Sequence, residues 1–290
     1  MSTRLGLGTA QFGLRYGVAN LSGQVSHSEA AAILEYAAKA GLAMLDTAIA
    51  YGDSEMRLGR LGITHWQVVS KLPALPPDCR DVGAWVRSAV DGSLARLAIP
   101  RLHGLLLHEP QELLAGHGDA LWAALLELRE RGKVAKIGIS VYGPEDLQLL
   151  WGRFAPDIVQ APFNVIDRRI AASGWLRRLH EAGTEVHARS VFLQGLLLMA
   201  PARRPPGFAR WQGLWDQWQG WLAQQRLTPL HACLRFALSR AEVDRVVVGV
   251  DSLAQLREVI SAAAGEPLVP PENLASNDLD LIHPSRWSLS

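Results

Sequence analysis

Four ionisable residues, Asp46, Tyr51, Lys71 and His108, sit at or just beyond the ends of three short apolar runs in this chain. Residues 43–46 are apolar up to Asp46, and Tyr51 follows five positions later in Ala48-Ile49-Ala50-Tyr51-Gly52. Positions 67–71 are valine-rich and end on Lys71, and positions 104–108 are leucine-rich and end on His108. Apolar runs of this length, separated by helical patterns, read as buried parallel strands, and chemistry in parallel sheets gathers at strand C-termini. Neighbouring strands lie about 4.8 Å apart, so such side chains converge within hydrogen-bond reach. Asp46 then pairs with Lys71, and the ammonium favours the phenolate of Tyr51, drawing down a pKa that is about 10 unperturbed. The phenol can give its proton to a carbonyl oxygen as negative charge develops there, while His108 donates a second hydrogen bond that fixes the carbonyl's direction. No nucleophile-base pair suggests itself, so an external hydride donor completes the reaction. Each residue alone has a structural explanation as a satisfied core or packing residue. Their joint order at strand ends points to one carbonyl site.

The elements that must position them alternate along the chain. Strand patterns fall at 4–9, 43–46, 67–71, 104–108, 136–140, 158–160, 185–190 and 245–250. Between them lie helical patterns, beginning with one capped by Ser28 and closed by Gly41, then 54–61, 82–97, 121–131, 144 to about 154, 174–182, 229–238 and 252 to about 263. Residues 192–227 break the rhythm, being rich in Pro and Trp, and read as a functional loop with its own helix. With no composition shift or linker, the pattern predicts one domain over 1–290, a single (β/α)8 TIM barrel with a long Trp-rich loop after strand 7. Gly6-Leu7-Gly8 fails as a dinucleotide fingerprint because Gln11 stands at the third glycine position.

Of the 290 residues 49% are apolar, ample for a large core, and the formal net charge of +1 offers no basic surplus for nucleic acid or an acidic membrane. Cys79 and Cys233 stand far apart, which suits a reducing compartment, and the start lacks a long apolar signal core, so a soluble cytoplasmic protein is expected. Metal-dependent hydrolysis is disfavoured by the lack of His-x-His or His-Glu-x-x-His spacing.

Leu45-Asp46-Thr47-Ala48, then Tyr51-Gly52, Ser54-Glu55 and Leu58-Gly59, resemble the signature of the aldo-keto reductase family, and Val69-Ser70-Lys71 and Leu106-Leu107-His108 resemble its lysine and histidine strands. The resemblance covers nearly the whole chain. It implies an eight-stranded α/β barrel that reduces aldehydes and ketones with a nicotinamide cofactor, usually NADPH, without a metal. Tyr51 would be the general acid, Lys71 and Asp46 its tuning pair, and His108 the residue that orients the carbonyl. Ser140 and Gln160 resemble the residues that bind the nicotinamide carboxamide, with Asn164 as a polar neighbour. Ala188-Arg189-Ser190 is similar to the segment whose aromatic residue stacks on the nicotinamide, but Arg189 replaces the ring. Gly249, Asp251, Ser252, Gln255 and Glu258 belong to a segment resembling the one that holds the adenosine end, and a helix N-terminus there suits phosphate. Asp251 stands where NADPH-using members often carry a basic residue. NADP(H) is thus implied by resemblance and NAD(H) by this carboxylate, unless Arg245, Arg257 or another cation covers the 2′-phosphate.

The substrate is expected to be a small carbonyl compound, with sugars included. Phe12, Tyr16, Trp211 and Trp287 are candidates for the pocket wall, and Trp211, Trp215, Trp218 and Trp221 form a helical stripe that packing alone would also explain. Arg203, Arg204 and Arg210 read as a solvated basic run that could also meet an anion. Two other readings stand beside the reductase: a catalytically weak, nicotinamide-sensing regulatory subunit of the same fold, and a Schiff-base lyase using Lys71.

Overall fold

Leu, Ile and Val runs of three to seven residues pair side by side in the computed structural model, which describes residues 4–287. They are β1 (Leu5–Gly8), β2 (Met44–Asp46), β3 (Gln67–Leu72), β4 (Leu102–Leu107), β5 (Val134–Ser140), β6 (Ile158–Pro162), β7 (Glu185–Arg189) and β8 (Arg245–Gly249). All pair in parallel and in sequence order, and β8 returns to β1 to close the barrel.

Both faces of these strands are buried, and the period of two sorts their side chains. Met44, Val69, Leu106 and Ile158 form a small cluster, with Val247 packed against it. Leu45, Val68, Leu105, Ile137 and Val159 join the larger core shared with the helices. Two residues beyond Met44, Val69, Leu106 and Ile158 come Asp46, Lys71, His108 and Gln160. Strand alternation alone therefore stacks these four polar side chains above the inner apolar layer, at the C-terminal mouth of the barrel.

The helices that clad the barrel fall close to their expected places, with two boundary corrections. Ser26, not Ser28, caps the helix His27–Lys39, its hydroxyl accepting from the Glu29 amide. The helix expected to run to about 154 is Pro144–Leu150, followed by a turn with Gly152 at φ +99°. The Trp-rich stretch after β7 is not an open loop. It folds into 3-10 turns at Leu196–Leu198, Pro201–Arg203 and Pro206–Trp211 and then the helix Gln212–Gln225. Trp215, Trp218 and Trp221 are buried on that helix, and the first two indoles donate to the carbonyls of Phe208 and Leu197. Packing, with those two N–H groups satisfied, accounts for the stripe. Among the described residues no helix is long and apolar enough to cross a membrane.

Beneath the inner layer, Glu185 at the start of β7 joins three strands. One of its carboxylate oxygens lies 2.8 Å from Nε2 of the fully buried His187, and the other pairs with Lys136 of β5 and faces His103 of β4 at 3.8 Å. Burial pushes the Glu185 carboxyl up, but hydrogen bonds from His103, His187 and Lys136 outweigh it and hold the group far below the usual carboxylate range. Because the folded pKa is depressed, this contribution to stability is present above the ordinary glutamate value of 4.5 and is lost as pH falls through the folded value. Glu185→Gln should cost about 2 kcal/mol in denaturant unfolding at pH 7. The gap to the wild type should narrow as the titration is carried below pH 4.5.

Candidate active site

Lys71 and Asp46 are almost completely buried, at 1% and 4% exposure, and their burial decides how they must bond. Lys71 Nζ donates to Asp46 Oδ1 at 2.6 Å and to the Thr47 carbonyl at 3.0 Å. The second Asp46 oxygen accepts from Gln160 Nε2 at 2.7 Å, across the barrel mouth. Two of the three ammonium protons are thus committed, the bonding of a charged lysine rather than a free nucleophile. The ammonium lies 5.2 Å from the centre of the Tyr51 ring, and the His108 ring meets Tyr51 edge-on at 6.0 Å between centroids.

The segment carrying Tyr51 is locked by the other signature residues. Ser54 donates to the Thr9 carbonyl at 2.9 Å and lies 3.2 Å from the Thr47 hydroxyl, and Thr9 donates to the Asp46 carbonyl, tying β1, β2 and the Tyr51 turn together. Glu55, itself buried, accepts from Ser70 on β3 and from Ser93 and Arg96 on the helix Val82–Leu97. The helical turn Ala10–Gly13 presses against this segment so closely that a Cβ on Gly13 would come within 1.8 Å of the Tyr51 carbonyl oxygen.

Burial lowers the pKa of His108 to about 4, helped by the charges of Lys71 and Arg189, so at neutral pH the ring is neutral and offers one N–H. The phenol of Tyr51 stands above its ordinary value, raised first by burial and then by the charge of Asp46. This corrects the expectation that Lys71 draws the phenol down. Asp46, 2.6 Å from the ammonium, cancels most of the field that Lys71 would exert. The cation that lowers the Tyr51 pKa is Arg189. Tyr51 therefore holds its proton at neutral pH, ready to donate.

A cavity of about 680 Å3 opens above these groups, within the range of about 300–1,000 Å3 usual for small-molecule sites. Asp46, Tyr51, Lys71, His108, Ser140, Gln160, Arg189, Ser190, Gly249, Asp251, Gln255, Glu258 and Tyr16 all line it. Five candidates do not. Asn164 is wholly buried, its amide donating to the Ser190 carbonyl and accepting from the amides of Ile166 and Asp167, so it shapes the turn after β6. Ser252 caps the helix Leu253–Ala262 through the Gln255 amide. Phe12 faces the core from the turn Ala10–Gly13, where helical geometry rather than a loop sets its direction. The Trp211 indole donates to Asp278, and the Trp287 indole donates to the Leu281 carbonyl while packing on Phe208, so both fasten the C-terminal segment. Of the three loop arginines, Arg203 lines the cavity, while Arg204 lies over Trp215 and Arg210 pairs with Asp278 and Asp280.

Other wall residues had gone unsingled in the sequence. After β7, Leu193, Gln194 and Gly195 have φ of +47°, +53° and +89°, and the amides of Leu193 and Gly195 donate to the carbonyls of Ser190 and Phe192, so a closed turn brings Gln194 and Gly195 to the cavity wall. The loop after β1 lies across this turn: Gly17 faces the Gln194 carbonyl and Ala19 meets Gly195. The buried Asn20 then donates to Asp251 Oδ1 at 2.9 Å. A glycine in a long segment after a strand is the one signal that could have marked this turn. With about 680 Å3 of volume and Ser140, Gln160, Ser190 and Gln255 as polar lining, the cavity suits an extended polar ligand such as a dinucleotide, with the carboxylates of Asp251 and Glu258 in the same wall. At the helix N-terminus expected to take phosphate, the Glu29 carboxylate already accepts from the Leu253 amide. Arg245 lies at the opposite end of β8, bonded to Gln67, and Arg257 lies over Tyr36.

Comparison with known proteins bears on the family and the fold. The Aldo/keto reductase family profile matches residues 4–275. A D-threo-aldose 1-dehydrogenase from Pseudomonas sp is 30% identical, over 87% of this chain and 89% of that protein. Aflatoxin B1 aldehyde reductase member 2 from Rattus norvegicus is 28% identical, over 66% of this chain and 52% of that protein. The holo form of an aldo-keto reductase from Bacillus halodurans has a TM-score of 0.73 at 21% identity, covering 92% of this chain and 88% of that one, a likeness of fold. The chain belongs to the aldo/keto reductase family, whose members are oxidoreductases that work with nicotinamide cofactors.

Removing one partner of the buried pair should be costly. Asp46→Ala leaves the Lys71 ammonium without its counter-charge, and urea unfolding should show a loss of about 3–5 kcal/mol.

Proposed function

We propose that this chain interconverts an alcohol with its aldehyde or ketone, exchanging hydride with a nicotinamide cofactor. The observation that carries the reading is the meeting of Tyr51, His108 and the Lys71–Asp46 pair at one end of a cavity whose other walls suit an extended dinucleotide. When bound, the cofactor supplies or takes up the hydride. Tyr51 gives its proton to the carbonyl oxygen, and the neutral His108 directs that oxygen through an N–H. Lys71, neutralised by Asp46, keeps the phenol's surroundings rigid and polar. Ser140, Ser190 and Gly249 are the proposed neighbours of the cofactor, with Gln160 holding Asp46. Gln255 and Glu258 flank its far end. Asn164 and Ser252 support this wall indirectly.

The substrates proposed are small carbonyl or hydroxy compounds, sugars among them, in keeping with the aldose and aldehyde in the names of the two relatives. Tyr16 is the wall residue proposed to meet them. Tyr51→Phe should lower turnover by about 10²–10⁴-fold while cofactor binding persists. Full activity in that variant would remove Tyr51 from the mechanism. A wild type that binds cofactor yet turns over no small aldehyde or aldose would be a regulatory subunit instead.

NAD(H) is proposed over NADP(H). Asp251 and Glu258 line this wall of the cavity with carboxylates, and neither Arg245 nor Arg257 lines it to offset a 2′-phosphate. Titrated at matched ionic strength, NADH should bind more tightly than NADPH, and Asp251→Ala should tighten NADPH by about tenfold. NADPH binding far tighter than NADH in the wild type would show that other groups govern the choice.

A further inference from the structure

We infer that Arg189 makes the site favour reduced over oxidised nicotinamide cofactor, and so tilts the bound couple toward oxidation of the alcohol. The inference rests on the nicotinamide reading above and adds a direction to it.

Arg189 closes β7 on the inward face of the barrel, two residues beyond the fully buried His187. Its guanidinium is fixed in place: one nitrogen donates to the Val141 carbonyl at 3.0 Å, another to the Ser190 hydroxyl at 3.2 Å. It lies 4.8 Å from the centre of the Tyr142 ring, which is itself stacked on His283 at 4.2 Å. A carbonyl, a hydroxyl and a ring hold this cation, and none of them is an anion. The nearest catalytic carboxylate, Asp46, is already spent on Lys71. Arg189 lowers the pKa of Tyr51, His108 and Lys71 alike, so its field reaches the whole catalytic end of the cavity.

The loop after β1 gives the cavity its order. Asn20 meets Asp251, Ala19 meets Gly195, Gly17 faces Gln194, and Tyr16 lines the cavity together with Tyr51 and Arg189. A dinucleotide laid along that line, with its adenosine end at Asp251, brings its nicotinamide to Arg189. Hydride exchange with a carbonyl carbon held by Tyr51 and His108 requires the ring in the same place.

The oxidised ring carries a positive charge that the reduced ring lacks. Transfer of a hydride, with its two electrons, from the carbinol carbon would discharge the ring, while the hydroxyl proton would go to the Tyr51 oxygen, the reverse of the donation above, and from there to water. A neighbouring fixed cation therefore destabilises the oxidised form alone, and only such a differential interaction can shift the equilibrium. At roughly 6 Å and an effective dielectric of about 20 the repulsion is worth about a hundredfold in affinity, and solvent screening reduces it toward about tenfold. The aromatic ring that Arg189 replaces in the resembling family segment would exert no such repulsion.

The test is the ratio of the dissociation constants of NAD+ and NADH at pH 7, measured by calorimetry for NAD+ and by quenching of protein fluorescence for NADH. The wild type should bind NADH more tightly. Arg189→Met should narrow the ratio by about tenfold, mainly by tightening NAD+, and Arg189→Lys, which keeps the charge, should retain most of the wild-type ratio. Arg189→Gln serves as the neutral variant if the methionine variant does not fold. An unchanged ratio in a neutral variant that still binds both forms overturns this inference and leaves the nicotinamide reading standing. Failure of the wild type to bind either form, in the NAD and in the NADP series alike, overturns both.

Discussion

A lysine ammonium and an aspartate carboxylate, 2.6 Å apart and almost wholly out of water, join β3 to β2 at the mouth of the barrel. Neither charge is tolerable there without the other, because the desolvation cost of each far exceeds what a lone hydrogen bond returns. Satisfying both determines much of what surrounds them. Thr47 turns its carbonyl to the ammonium, and Gln160 reaches from β6 to the spare carboxylate oxygen. The turn that carries Tyr51 is held over the pair by Thr9, Ser54 and the close approach of Gly13. The pair's main service is architectural: it places a polar floor under the phenol, and Arg189, outside the pair, is the cation felt at Tyr51.

That division of labour explains why two lysine and arginine side chains in one small cavity are not redundant. Lys71 is a compact charge cancelled at contact range, while Arg189 is held by neutral acceptors and keeps its field. His108, exposed to both cations and buried, is kept neutral and so acts as a directional donor rather than a third charge.

The barrel and its catalytic end were legible because they rest on local, periodic signals. A strand alternates with period two, so the inward Met44, Val69 and Leu106 announce Asp46, Lys71 and His108 two residues later. Phe12 was misplaced for the complementary reason: the segment after β1 is a helical turn, and a helix directs the ring inward where an extended loop would have shown it to the cavity. The Trp stripe reads more readily as packing than as wall, and the side it presents is fixed only once the helix Gln212–Gln225 is docked. Asn20, Glu29 and Arg189 draw their meaning from partners distant in sequence, Asp251, Leu253 and Val141. No periodicity encodes such pairings. The electrostatics of Tyr51 were likewise beyond reach, since they turn on which of two charges is cancelled, a matter of ångströms rather than of residue type.

The contacts of Gly17, Ala19 and Asn20 with the turn at 194–195 and with Asp251 tie the loop after β1 to those after β7 and β8, three neighbours on one side of the barrel mouth. Because the three loops share these contacts, a change in the short first loop is passed to the other two. That wall of the cavity can be reshaped by substitutions that leave the chemistry at Tyr51 alone.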